Sequence, residues 1–475
     1  MRIGQTSAVY FLSEVLSSVL GFAATLYVAK ALGQQGDDVL GVYFVVIALV
    51  IWLSVVGGLG LQVALRKRLS ESDEGPAYLA AGLLIQTAVF VVVAAVLLLA
   101  APYLTGFLRG VDVGVVVGLV FAALALQFVR TALEGRHLVH VSSVLSPLDR
   151  IARAVVQIGA VFLGFAIGGL LLGYAVGAVV AAAAGAVVLG RDLAFPERRH
   201  VTDLVSYARY SWLSSVSARA FRSLDTVVLG LFVAEGLIGV YEIAWNLASI
   251  LAVFGTAIAR SMFPSISELS AQEEAAAVAG LVTDSLRFAG FFLIPGFVGA
   301  IVLGSEVLRI YGAQFTRGDV VLVVLVGARL VYTYQHQFVN ALNAIDRPDL
   351  AFRVEGVFVV TNLGLNVALV LEFGWIGAAV ATALSALFAT VLAHRALAAE
   401  VDFELPVGEV GRQVFASLVM GGVVLAGTTA LPGTLPVGLG LVFLGAGVYG
   451  VVVLVISPTL RQVVVVNLSS VLDRR

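Results

Sequence analysis

Residues 40–60 read LGVYFVVIALVIWLSVVGGLG, twenty-one positions without a charged side chain, and residues 238–258, IGVYEIAWNLASILAVFGTAI, repeat the opening of that stretch. A helix of about 20 residues crosses the ~30 Å hydrocarbon core of a bilayer, so the first stretch reads as a membrane span. A shift of 198 positions superposes Gly41-Val42-Tyr43 on Gly239-Val240-Tyr241. A second match sets ALEGRHLVHVSSVLSPLDR, from 132, against ALNAIDRPDLAFRVEGVFV, from 341, and its shift of 209 also carries Gly168 onto Gly377. Two matches in the same order predict two pseudo-symmetric six-helix lobes, residues 1–200 and 201–400, followed by a segment 401–475 with two further spans and a short cytoplasmic tail.

The whole composition agrees with this beginning. The chain of 475 residues is 60% hydrophobic and 12% charged, with a mean hydropathy of +1.04, whereas soluble domains carry roughly 25% charged residues. The expected class is an all-α polytopic membrane protein with no soluble catalytic domain. A net charge of −2 without a basic stripe excludes a nucleic-acid partner. No cysteine is present, and His137, His140, His200, His336 and His394 form no HExxH pattern. Neither a metal site nor a cofactor is expected, and the protein reads as a non-enzyme. The N-terminal apolar segment contains Glu14 and lacks a small-residue cleavage site, so it reads as a retained first span rather than a secretory leader.

Breaks at glycine, proline and charge clusters predict about fourteen transmembrane helices: 7–29, 39–65, 77–101, 112–131, 147–167, 168–190, 208–232, 237–260, 282–304, 319–342, 351–372, 374–397, 411–431 and 436–457. Basic residues are retained on the cytoplasmic side. With the N-terminus inside, only Lys30, Arg109, Arg309 and Arg317 fall in outer connections, while Arg66, Lys67, Arg68, Arg130, Arg136, Arg150, Arg153 and most other basic residues fall in inner ones. Both termini are therefore expected in the cytoplasm. The stretch 265–287 reads as an amphipathic helix at the inner interface, and Glu242 as a solvated residue near an outer span end.

Several segments together resemble the oligosaccharide and polysaccharide flippase branch of the multidrug/oligosaccharidyl-lipid/polysaccharide exporter superfamily. They are ALGQQGDDVLGVY (31–43), RSMFPSISELSAQ (260–272), LRIYGAQFTRGD (308–319), ALNAIDRPDLAFR (341–353) and NLGLNVALVLEFGWIGAAVATALS (362–385). The resemblance implies two six-helix bundles around a central cavity lined by the first and seventh spans, alternating access, and a cargo glycan carried on a polyprenyl phosphate or diphosphate.

Charges inside the spans give the candidate site. A charge at mid-membrane costs about 2.5–3.5 kcal/mol on insertion scales, so such residues face a cavity or each other. In the seventh span, which contains SARAFRSLDTVV (217–228), the polar positions Ser211, Ser215, Arg219, Arg222 and Asp225 or Thr226 recur at steps of three and four, along one helical face. The first span repeats the design with Tyr10, Glu14, Ser17 or Ser18, Gly21 and Thr25. The tenth adds Arg329, followed by Tyr332, Tyr334, Gln335, His336, Gln337 and Asn340. Arginine forms bidentate bonds to phosphate oxygens, and amide and hydroxyl groups hydrogen-bond sugars. Arg219, Arg222 and Arg329 are thus substrate-binding candidates, Glu14 a gating or coupling carboxylate, and Asp225 a residue that orients Arg222. The structural alternative pairs Arg222 with Asp225 and Arg219 with Glu14.

The leading expectation is a flippase in the cytoplasmic membrane. It moves a lipid-linked oligosaccharide across by alternating access for surface polysaccharide or glycoprotein assembly, as a monomer among membrane lipids and glycan assembly enzymes. A cation-coupled multidrug or small-solute exporter would instead make Glu14 an ion site. A membrane-embedded glycan polymerase would need a catalytic constellation and sizeable outer loops. The acidic loops SESDEG (70–75) and EVDFELPVGE (400–409), with two lysines against 26 arginines, point to a GC-rich, halophilic source.

Overall fold

The computed structural model describes Leu16 and residues 19–58, 60–71, 74–190, 192–432 and 434–462, in backbone only at 56, 57, 209–222 and 435. Among them are helices and connecting turns and no strand. A chain this apolar has little alternative, because a helix satisfies each backbone N–H and C=O within its own segment, and hydrocarbon offers no water to do so. Eight helices are long and apolar enough to cross a membrane by length and composition, or nine when one pair bent by 46° counts as a single span. The helices form two compact units, Met1–Glu242 and Ile243–Arg475.

The first unit holds α1 (Val19–Ala31), α2 (Gly36–Gly58), α3 (Leu61–Glu71), α4 (Gly75–Leu99), α5 (Val113–Gly135), α6 (Val139–Phe162), α7 (Ile167–Leu189), α8 (Arg198–Phe232) and the start of α9 (Glu235–Leu251). One core cluster gathers Leu61 and Leu65 of α3, Ala132 and Leu133 of α5 and Leu204 of α8. Another gathers Val46 and Val50 of α2, Leu108, and Val116, Leu119 and Val120 of α5. The second span ends sooner than the hydropathy suggests. Gly60 takes φ 76, and the chain restarts as α3, whose Leu61, Ala64, Leu65 and Leu69 are buried. Arg66 of α3 meets Glu134 at 3.1 Å.

A larger difference concerns α6. Its predicted start was the proline at 147, yet the helix begins at Val139 and runs through Pro147. Proline costs a helix one N–H and a clash with the carbonyl four residues back, but interior prolines are tolerated where neighbouring groups answer the freed carbonyl. Arg150 and Arg153 therefore stand midway along a helix and not at the inner end of a span.

The second unit holds the rest of α9, α10 (Val253–Ala271), α11 (Ala275–Ala289), α12 (Leu293–Arg309), α13 (Asp319–Ala344), α14 (Pro348–Ala398), α15 (Val407–Ala430) and α16 (Leu435–Ile456). The bent pair is α9 and α10. The predicted interfacial helix over 265–287 is instead shared between α10 and α11, because the chain breaks at 272–274, where Glu273 has φ 60. Gly374, at φ 58 and ψ −141, divides α14 into two helices at the break expected between 372 and 374. The two C-terminal helices pack on α12 through Leu303, Ala416, Met420, Val424, Leu441 and Tyr449, and the Tyr449 hydroxyl donates to the Phe291 carbonyl at 2.9 Å.

The start of α8 is built from ionic and polar contacts. The His200 Nδ1 accepts from the Glu197 N–H at 2.9 Å, the Glu197 side chain answers the backbone of His200, and His200 Nε2 lies 2.8 Å from Glu74. The Nε2–H tautomer satisfies both contacts. Arg199 adds a 2.8 Å ion pair to Glu74. These partners, the His200 hydrogen bond first, hold the Glu74 carboxyl below its ordinary value of 4.5.

The two glycines of the repeat meet in the first unit. A Cβ on Gly41 would lie 1.8 Å from the Glu235 carbonyl oxygen, and a Cβ on Gly239 would lie 2.1 Å from the Asp37 carbonyl oxygen. The shift of 198 that relates Gly41 to Gly239 also relates Asp37 to Glu235, so α2 and α9 cross by a reciprocal contact. No side chain larger than hydrogen fits at either point without moving backbone.

Gly41→Ala and Gly239→Ala should each lower the thermal stability of the detergent-purified protein by about 1–3 kcal/mol or more, the scale of overpacking a close contact; unchanged unfolding midpoints would show that the crossing yields. Because the Glu74 carboxyl is lowered, the stability it adds is present above the ordinary carboxylate range and lost as pH falls through its folded value. Glu74→Gln should flatten that acid limb in a pH series of thermal unfolding.

Candidate functional site

Helix α8 is continuous from Arg198 to Phe232, so the polar positions 211, 215, 219, 222 and 225 stand at true helical spacing. The side chains of Arg219 and Arg222 lie outside the described residues, as does Glu14 entirely. Asp225 is described and buried. It accepts a hydrogen bond from the Tyr241 hydroxyl, and the adjoining Thr226 hydroxyl donates to Glu242. Two consecutive residues of α8 thus face two consecutive residues of α9 across the turn at 233–234. Glu242 is 9% exposed, which corrects its reading as solvated: its partner lies sixteen residues back, on the preceding helix.

That turn is itself held from outside the hairpin. Arg109 donates to the Gly230 carbonyl at 3.3 Å and the Val233 carbonyl at 2.9 Å, and it pairs with Glu235 at 3.2 Å. The last carbonyls of a helix have no partner within it and carry partial negative charge, which a guanidinium satisfies.

A second polar group lies on α6. Arg153 takes both oxygens of Asp149 at 2.9 and 2.8 Å and stacks 4.1 Å above the Tyr174 ring. One turn on, Gln157 donates to the Leu170 carbonyl at 2.9 Å and to the Tyr43 hydroxyl at 3.3 Å. Gly177 and Gly173 of α7 admit these side chains, since a Cβ there would lie 2.6 Å from the Asp149 carbonyl oxygen and 2.4 Å from Gln157 Cγ. The signal for this group, Asp149, Arg153 and Gln157 at intervals of four, is present in the sequence inside the span expected over 147–167.

In the second unit Arg329 of α13 donates to Ser249 at 2.6 Å and lies 4.3 Å over the Trp245 ring. Two side chains expected to meet sugars are engaged by the backbone of α10: Gln337 donates to the Gly255 carbonyl at 2.8 Å and Asn340 to the Ala259 carbonyl at 2.7 Å. They brace the bent α9–α10 pair, leaving Arg329 with its aromatic shelf as the cationic element. Across the two halves of α14 the buried Asn362 donates to Thr382 at 3.2 Å, a seam that apolar flanking sequence concealed. Among the described residues no group of three or more His, Cys, Asp or Glu could hold a metal ion.

A family model described as polysaccharide biosynthesis protein matches residues 3–270. Over 97% of both chains, the sequence is 32% identical to "Probable flippase AglR" of Haloferax volcanii. It is 28% identical to "Probable low-salt glycan biosynthesis flippase Agl15" of the same organism, over 98% of this chain and 99% of that one. Among solved structures, the lipid II flippase MurJ in an inward closed conformation superposes with a TM-score of 0.81 at 15% identity, covering 96% of this chain and 100% of that one. The fold is the multi-pass helical fold of that solved structure.

The Asp149–Arg153 pair, with side chains 11% and 14% exposed, makes a sharp stability test. Arg153→Ala should cost about 3–5 kcal/mol by stranding a buried carboxylate, while Asp149→Asn combined with Arg153→Gln should recover most of the loss. Equal unfolding midpoints for the single and double variants would contradict the pairing.

Proposed function

The chain belongs to the polysaccharide biosynthesis protein family, and we propose that it is a flippase carrying a polyprenyl-(di)phosphate-linked oligosaccharide from the inner to the outer leaflet of the cytoplasmic membrane. The observation that carries this reading is the likeness to flippases along nearly the whole chain. Such proteins are transporters, and the work asked of this one is binding and reorientation, with no bond made or broken.

In this reading the chain has fourteen spans and cytoplasmic termini. The lobes are 1–200 and 201–400, with 401–475 adding two helices. Helical segments at each expected span, with α2 and α3, α9 and α10, and α11 and α12 each counted once and the divided α14 counted twice, support that count. The reciprocal contact of Gly41 and Gly239 supports the repeat behind the lobes. Arg219, Arg222 and Arg329 hold the phosphate and the first sugars. Asp225 is fixed by Tyr241 and orients the α8 stripe, and Glu14 gates or couples. The chain works as a monomer that receives its cargo from glycan assembly enzymes. The cargo is a rigid polar headgroup on a flexible lipid, so the headgroup alone needs a hydrated path while the lipid tail stays in the bilayer.

Cells lacking the protein should accumulate lipid-linked glycan on the cytoplasmic leaflet and lose surface glycan. Intact protein should reverse both effects, and Arg222→Ala expressed at normal level should not. Unchanged glycan-lipid pools with new sensitivity to cationic dyes would move the protein to the exporter class and make Glu14 the next residue to test.

A further inference from the structure

Arg150 stands midway along the 24-residue α6, is exposed, and has no hydrogen-bond or ion-pair partner among the described residues. The titratable groups facing it are Arg153, Asp149, Tyr43 and Tyr174. Asp149 is engaged through both oxygens by Arg153, so its charge is already answered. The cluster of two guanidinium groups and one carboxylate keeps a positive charge that no other side chain among the described residues neutralises.

The tip of Arg150 is directed toward α1. Its Nη1 lies 3.2 Å from where a Cβ on Gly21 would sit, so glycine at that point leaves the guanidinium room. An arginine at mid-helix in a membrane protein is costly unless it reaches water, a partner or a ligand. Among the described residues Asp149 is taken and the group is exposed, which leaves water and a ligand. A guanidinium suits a ligand presenting two coplanar anionic oxygens.

Resting on the flippase reading, we infer that Arg150 is a further substrate-binding residue, contacting anionic oxygens of the cargo in a hydrated space on the α6 face. A lipid-linked phosphate or the carboxylate of an acidic sugar supplies that chemistry. Arg153 is the positioning partner: by occupying Asp149 it keeps that carboxylate from neutralising Arg150.

The chain has no cysteine, so R150C introduces a single thiol. In membranes, that thiol should react readily with a water-soluble trimethylammonium-ethyl thiosulfonate, which restores a positive charge. Binding is then measured in nanodiscs with geranylgeranyl diphosphate and with octyl glucuronide. R150Q should weaken one of them by about tenfold or more, the loss of one hydrogen bond to a charged group, and R150K and modified R150C should recover most of it. Weakening of the diphosphate assigns the phosphate as the contact; weakening confined to the glucuronide assigns the sugar carboxylate. A thiol closed to the aqueous reagent, wild-type affinity of R150Q for both probes, or no binding of either by the wild-type protein would each overturn the assignment. The flippase reading is judged separately, by glycan-lipid accumulation in cells lacking the protein, which does not depend on Arg150.

Discussion

A charged group in hydrocarbon must be answered by a partner or by water, and that requirement organises this molecule. With 12% of its residues charged, the chain can place many of them in short connecting segments and at helix ends, where Arg66 of α3 meets Glu134 and Arg347 meets Asp349 and Glu400. The few kept inside are handled in distinct ways. Arg153 is neutralised by Asp149, Asp225 and Glu242 are capped by hydroxyl groups from across a hairpin, and Arg329 rests on an aromatic face with a serine at its tip. These arrangements are local and mutually separate. Each is formed by neighbouring helices, so the interior polar groups also fix which helices are neighbours.

The same economy explains why small residues recur where polar side chains are buried. Gly173 and Gly177 let α7 approach α6 closely enough for Asp149 and Gln157 to be enclosed. Without that approach the Asp149–Arg153 pair would face lipid on one side, and its separation from water would have nothing to offset it. The braces at the α9–α10 bend act alike. Gln337 and Asn340 spend their amide donors on backbone carbonyls of α10, fastening α13 to the helix that follows the bend.

Much of this was legible in the sequence because hydropathy and backbone satisfaction act locally. Apolar length gave the helices, Gly374 gave the division of α14, and steps of three and four gave the α8 stripe as a helical feature. The misreadings came where a partner is distant or a boundary signal is false. Glu242 looks like a surface residue until Thr226 is placed opposite it. Pro147 reads as a helix start and here lies inside one, so Arg150 and Arg153 stand at the middle of α6 and not at the inner end of a span. Gln337 and Asn340 have the chemistry of sugar ligands, and only the course of α10 beside them shows another use. Periodicity reveals which face a residue occupies, and the identity of the facing helix belongs to the tertiary structure.

The crossing of Gly41 and Gly239 has a bearing on how such a chain can change through descent. Halves that arise from one ancestral segment drift apart because a substitution in one copy is usually invisible to the other. At this crossing each glycine is pressed against the backbone of the other helix, so neither α2 nor α9 can accept a side chain there unless the other retreats. Two positions 198 residues apart are thereby held to one constraint, and a change at either is felt at the other.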